Sequence, residues 1–258
     1  MNEDFTLEYL PLSMVKEEKI EYILTGDLPM PKNALSMISA KGGMGKSFYT
    51  LKMAMRHINQ TGETVVVWYS EDRASQVLSR VNTLVANGEE DFDRSKLLLV
   101  TSHPPQLAYK MNGVFKADYD AISKVQVFIA RKEVTLFIID PLLSFYGGDE
   151  NDNSQARVFM LPLAKWAEDY DVSILIVHHA GKSDQTRGAS AFEDTARCLY
   201  TISMVTDEAG NVDNDAHQAG KRKITLKKEN GLAGWWLKKS DRSRVFVDKV
   251  IPEYRDLS

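Results

Sequence analysis

Between the apolar run ALSMIS (34–39) and a segment of helical spacing lies AKGGMGKS (40–47), and this junction constrains the chain more than any other stretch. Gly42, Gly43 and Gly45 admit backbone angles closed to other residues, so successive N–H groups can turn inward on one anion. The loop opens a helix near Lys46, and a helix N-terminus favours the same anion. Ala40, Lys41, Gly42, Gly43, Met44, Gly45, Lys46, Ser47 and Phe48 are therefore expected to form a phosphate cradle. Lys46 is expected at the β- and γ-phosphates of a nucleotide, and the Ser47 hydroxyl on Mg²⁺. Two positions are unusual: Ala40 stands where such loops usually begin with glycine, and Lys41 precedes the glycine pair.

Around the loop, short apolar runs alternate with longer segments. The runs are ALSMIS (34–39), TVVVWYS (64–70), KLLLVTS (96–102), TLFIID (135–140) and VSILIVHH (172–179). Their continuous apolar character predicts strands buried on both faces, as in a parallel sheet. Between them, Phe48, Leu51, Met55 and Ile58 repeat at helical spacing, as do Val77, Val81 and Leu84, and Ile122, Val125 and Ile129. Phe159, Leu163, Trp166 and Tyr170 form a fourth set, in which Pro162 is expected to kink or break the helix. These aromatics and methionines read as core. The alternation predicts a doubly wound α/β fold with a mostly parallel sheet flanked by helices, and the glycine loop between an apolar strand and an amphipathic helix makes it a P-loop NTPase core. After residue 198 the runs CLYTISM (198–204), RKITLKK (222–228), GWWLKK (234–239) and RVFVDK (244–249) predict an antiparallel C-terminal extension. We divide the chain into an N-terminal arm, 1–33, and an ATPase domain, 34–258.

Such sheets bind ligands at the carboxyl ends of their strands. There the sequence places Glu71 and Asp72, Asp140, and His178 and His179. Asp140 ends the buried run LFIID, the arrangement that delivers a carboxylate to a metal shell; alone it would read as a cap or turn residue. Glu71 has two readings: a general base for attacking water, or an acid at a helix N-terminus capped by Ser70.

The order of glycine loop, SED, FIID, ILIVHHAGK and RGASAFEDTAR resembles the RepA-type hexameric replicative helicases, and more broadly the RecA/DnaB-like ATPases, over about residues 20–240. The resemblance implies a RecA-like core that hydrolyses ATP with Mg²⁺ at subunit interfaces of a homo-hexameric or similar ring and acts on single-stranded DNA. It assigns catalysis to Glu71 and γ-phosphate sensing to His178 and His179. On GKRKITLKKENG it offers Lys228 as the family's lysine, and Arg222 or Lys223 as a finger reaching a neighbour's nucleotide, though Arg222 sits one residue off the family pattern. The alternative for this strand is a solvated basic edge that discourages aggregation. DNA-facing loops would be 144–157 and 181–190. The second carries Lys182 and Arg187 for phosphate contact, while the first is acidic apart from Arg157 and offers Phe145 and Tyr146.

Lys41 alone would fit the ParA/MinD-like partition ATPases, which use a lysine there across a dimer; the doubled histidine does not fit them. A RecA-like recombination or regulatory ATPase and a nucleotide-switched DNA-binding scaffold are further alternatives. The net charge of −4 argues against a nucleic-acid coat but not against DNA held by a few loops. One cysteine, Cys198, excludes an internal disulfide framework. The acidic start MNEDFTLEYL does not resemble a signal peptide, and no apolar run is long enough to span a bilayer. The expectation is a soluble, cytoplasmic protein without a membrane partner.

Overall fold

The computed structural model describes residues 10–16, 20–24, 28–179, 190–207, 209–230 and 243–247. Its centre is an eight-stranded sheet. In chain order the strands are β1 (Leu35–Ala40), β2 (Thr64–Tyr69), β3 (Leu97–Leu99), β4 (Val134–Asp140), β5 (Ser173–His179), β6 (Cys198–Met204), β7 (Lys221–Glu229) and β8 (Ser243–Val247). Across the sheet the order is β8-β7-β6-β1-β5-β4-β2-β3. From β3 to β6 all pairings are parallel, whereas β7 runs antiparallel to β6 and β8 antiparallel to β7. The mostly parallel α/β core is as expected. CLYTISM is not part of the antiparallel extension: as β6 it pairs parallel with β1, Ile202 opposite Ala40, and the extension starts only at β7. GWWLKK lies outside the described residues.

The two sheet faces carry separate cores, because side chains alternate along each strand. Val65, Val67, Leu136 and Ile138 face helices α1 (Lys46–Thr61) and α2 (Ala74–Ala86). Val66, Trp68, Phe137 and Ile139 face α3 (Tyr119–Arg131) and α4 (Asn153–Asp169). The starts of α3 and α4 are fixed by carboxylates: Asp118 accepts from the Ala121 N–H at 3.0 Å, and Asp152 from Ser154 and Gln155. Helix α4 runs through Pro162 as one element. Pro162 itself is half-buried, while Phe159, Met160, Leu163 and Trp166 bury the inner side of the helix and hold it in place.

Two features were not expected. An antiparallel hairpin, Ala108–Met111 with Val114–Ala117, pairs with a short strand, Tyr146–Gly147, just past β4. And part of the leading segment packs on its own chain. Tyr22–Ile23 pairs with Met30–Pro31, and Leu24, Leu28 and Met30 are buried in the α1 core. The Tyr200 hydroxyl donates to the Pro29 carbonyl at 2.8 Å, and Tyr22 donates to Glu229.

Candidate functional site

The sheet order decides which strand ends meet. Strand β5 lies between β1 and β4, and β2 lies beyond β4. In register, His179 stands opposite Ala40 and Tyr69 opposite Asp140. One edge of the sheet therefore gathers the glycine loop, the histidine pair, Asp140 and the turn carrying Glu71, which are far apart in sequence.

Within the loop Gly43 and Gly45 take left-handed angles, φ 71° and 83°. A β-carbon at Gly42 or Gly43 would meet nothing within 4 Å, so the loop faces open space rather than protein. Gly45 is the N-cap of α1 and provides no side-chain cap, which leaves the first-turn amides for a ligand. Lys46 is 6% exposed, and its Nζ donates to the carbonyls of Ala40 at 3.0 Å and Lys41 at 2.9 Å. It also lies 3.2 Å from His179 Nδ1. Burial holds the Lys46 pKa below the ordinary lysine value, against the opposing pull of Asp140 and Glu71.

The Ser47 hydroxyl donates to Asp140 Oδ2 at 2.6 Å. Burial pushes the Asp140 carboxyl up to about 6, although the Ser47 hydrogen bond and Lys46 both pull it down. These two oxygens, a hydroxyl and a carboxylate side by side, are the hard donors that suit Mg²⁺. No cluster of three or more His, Cys, Asp or Glu side chains able to hold a metal occurs among the described residues. An ion here would complete its shell with phosphate oxygens and water, the usual state of Mg²⁺ at a nucleotide. Tyr69 closes the floor: its hydroxyl donates to the Ser47 carbonyl at 3.3 Å and lies 3.2 Å from Thr50 Oγ1, and burial raises its pKa.

Glu71 is exposed at this edge, just past β2. Its neighbours are not loose. The Ser70 N–H donates to the Asp140 carbonyl at 2.9 Å, and Asp72 binds both arms of the Arg80 guanidinium. The doubled histidine is divided by strand alternation. His179 meets Lys46, while His178 is fully buried with its ring centroid 5.4 Å from that of Phe192, in α5 (Ser190–Thr195).

The remaining candidates lie elsewhere. The Lys228 Nζ donates to the carbonyls of Glu193 at 3.0 Å and Asp194 at 2.6 Å, at the end of α5. Arg222 pairs with Met204, two residues beyond Ile202 and so on the same edge as the loop but two strands away. It is 1% exposed and donates to the Lys221 carbonyl at 2.8 Å. Phe145 and Tyr146 are buried, packed against Trp68 and Phe192 respectively, so loop 144–157 offers no ring to a passing base. Lys182 and Arg187 lie outside the described residues. Sequence reasoning passed over Tyr69 and Arg80; it placed Asp72 beside Glu71 but gave no sign of its partner on α2.

A family model described as an AAA domain matches residues 15–185, a span that contains the loop, Glu71, Asp140 and both histidines. No match is found among curated proteins.

Proposed function

We propose, from the premise that this chain belongs to the AAA-domain family of P-loop ATPases, that it is a ring-forming ATPase that binds ATP with Mg²⁺ between subunits and couples turnover to single-stranded DNA. The observation that carries the nucleotide reading is the single sheet edge on which Lys46, Ser47, Asp140, His179 and Glu71 meet. Lys46 exchanges the carbonyls of Ala40 and Lys41 for the β- and γ-phosphate oxygens. Ser47 and Asp140 would hold Mg²⁺, which would supply charge neutralisation at those oxygens. Glu71 orients the attacking water and takes its proton. His179, beside Lys46, hydrogen-bonds the γ-phosphate end, and His178 braces it from the core.

Assembly is supported by the resemblance of the motif order to RepA-type helicases. It is also supported by the residues before the Tyr22–Ile23 strand: Leu10, Leu12 and Met14 are 62%, 86% and 67% exposed, apolar surface that a second copy would cover. The DNA reading rests on Lys182 and Arg187. A neighbour's basic residue would stabilise the transition state, and of the three candidates Arg222, Lys223 and Lys228, Lys223 is the one neither buried nor bonded to α5.

The test is ATP turnover with and without single-stranded DNA, beside light-scattering mass in ATP–Mg²⁺. A ring-sized species with DNA-stimulated turnover, lost in Lys46→Ala, supports the reading. A dimer indifferent to single strands refutes it in favour of a partition-type ATPase, with Lys41 as the residue acting across the interface.

A further inference from the structure

Glu71 is an exposed residue whose two neighbours are fixed. On one side Ser70 donates its N–H to the Asp140 carbonyl at 2.9 Å and its hydroxyl to Ser144 Oγ at 2.6 Å. On the other side Asp72 receives both arms of Arg80, from α2, the Nη2 contact being 2.7 Å. The Arg80 guanidinium also lies over the Phe48 ring, 5.2 Å from its centroid. Phe48 follows Ser47 in the first turn of α1. The Arg80 and Asp72 side chains are only 13% and 15% exposed, so water competes little for this pair. A planar fork can clamp a carboxylate and lie on a ring at once; an ammonium cannot.

We propose that Arg80 is a positioning residue: through Asp72 and Phe48 it ties the 70–72 turn to the first turn of α1 and so sets the Glu71 carboxylate relative to Lys46 and Ser47. The inference rests on the reading of Glu71 as the carboxylate that orients the attacking water. An ion pair placed only for stability would change melting and would act independently of Glu71. Arg80 instead bridges the two elements whose spacing a water-orienting carboxylate needs, and a small misplacement there is costly.

The test is a double-mutant cycle in the full chain. kcat and KM for ATP, the Kd for ADP and the melting temperature are measured for wild type, Arg80→Lys, Arg80→Ala, Glu71→Gln and Glu71→Gln/Arg80→Lys. Arg80→Lys is expected to lower kcat about tenfold or more, with ADP affinity within about twofold of wild type. It keeps the charge, so it stands in if Arg80→Ala fails to fold. In the Glu71→Gln background the same change is expected to lower kcat no further. An equal fall in both backgrounds, or a raised KM at unchanged kcat, overturns the proposal, because Arg80 would then act on the nucleotide or on the fold alone. If Glu71→Gln by itself leaves kcat unchanged, the reading of Glu71 fails and the inference with it; that result needs no Arg80 variant, so the two failures are told apart.

Discussion

Two parts of the sheet carry clusters of charged residues, the corner where β1, β5, β4 and β2 end and the basic strand β7, and they use charge in opposite ways. At the corner Lys46 and Asp140 are buried, and burial pushes each toward its neutral form. Lys46 occupies itself with loop carbonyls, and Asp140 with one hydroxyl. These bonds can be exchanged for phosphate and metal without unmaking any helix or strand. On β7 burial also lowers the pKa of Lys228, but its protons go to the last carbonyls of α5, where a cation opposes the helix dipole. Arg222 is folded in against its own strand. A charged cluster kept at electrostatic cost marks a place for a ligand, while charge bonded to the chain's own helix end marks architecture.

The sharpest break between the two regions is Lys46→Ala. It is expected to reduce turnover by about a thousandfold or more, because the group proposed to meet the transferred phosphate is gone. The melting temperature of the nucleotide-free chain is expected to hold or rise, since a desolvated amine is removed. A large fall in melting temperature would mean that the corner is architecture after all. Glu71→Gln is expected next, with kcat down roughly a hundredfold or more and ADP affinity retained.

Asp140→Asn separates cost from function in the other direction. The folded chain holds the Asp140 proton more tightly than the unfolded chain does, its carboxyl standing at about 6 against an ordinary 3.8. A carboxyl shifted upward lowers stability as pH rises through that window, and the cost is complete above about pH 6. Without nucleotide, Asp140→Asn is therefore expected to be more stable than wild type by about 1–3 kcal/mol near neutral pH, the gap closing as pH falls toward 4. Its turnover is expected to be lost. Thermal melts of both proteins across that range check the sign; equal melting at neutral pH would show that the buried charge is not costly.

The corner was legible in the sequence because each part ends a strand buried on both faces, and such strands read as unbroken apolar runs. TLFIID gave both β4 and the placement of Asp140 at its end. The hairpin was legible and passed over: Asn112 and Gly113 both have positive φ, 52° and 81°, the angles that an Asn-Gly turn supplies. KLLLVTS shortened to Leu97–Leu99 because β3 is the sheet edge and half-buried. The direction of CLYTISM was not legible, since an apolar run does not say which strand it joins. Nor was the division of the histidine pair: alternation separates His178 from His179, but only the position of α5 shows which one faces the core. The clamp on Asp72 was beyond reach, because Arg80 is eight residues away on a different element.

Lys228→Met carries the smallest effect and tests the other half of the comparison. The apolar stem stays and the ammonium goes, leaving the carbonyls of Glu193 and Asp194 to water. Because the site is half-buried and water replaces part of the bond, the expected loss is about 1 kcal/mol of stability. Turnover per folded chain is expected to change by less than about twofold, as for a residue remote from the chemistry. The opposite outcome is as informative. If melting is unchanged while turnover collapses, Lys228 acts across a subunit interface. Mixing then decides it: Lys228→Met chains supply intact loops and Lys46→Ala chains supply intact lysines, so activity recovered in mixed assemblies would move β7 from architecture into the site.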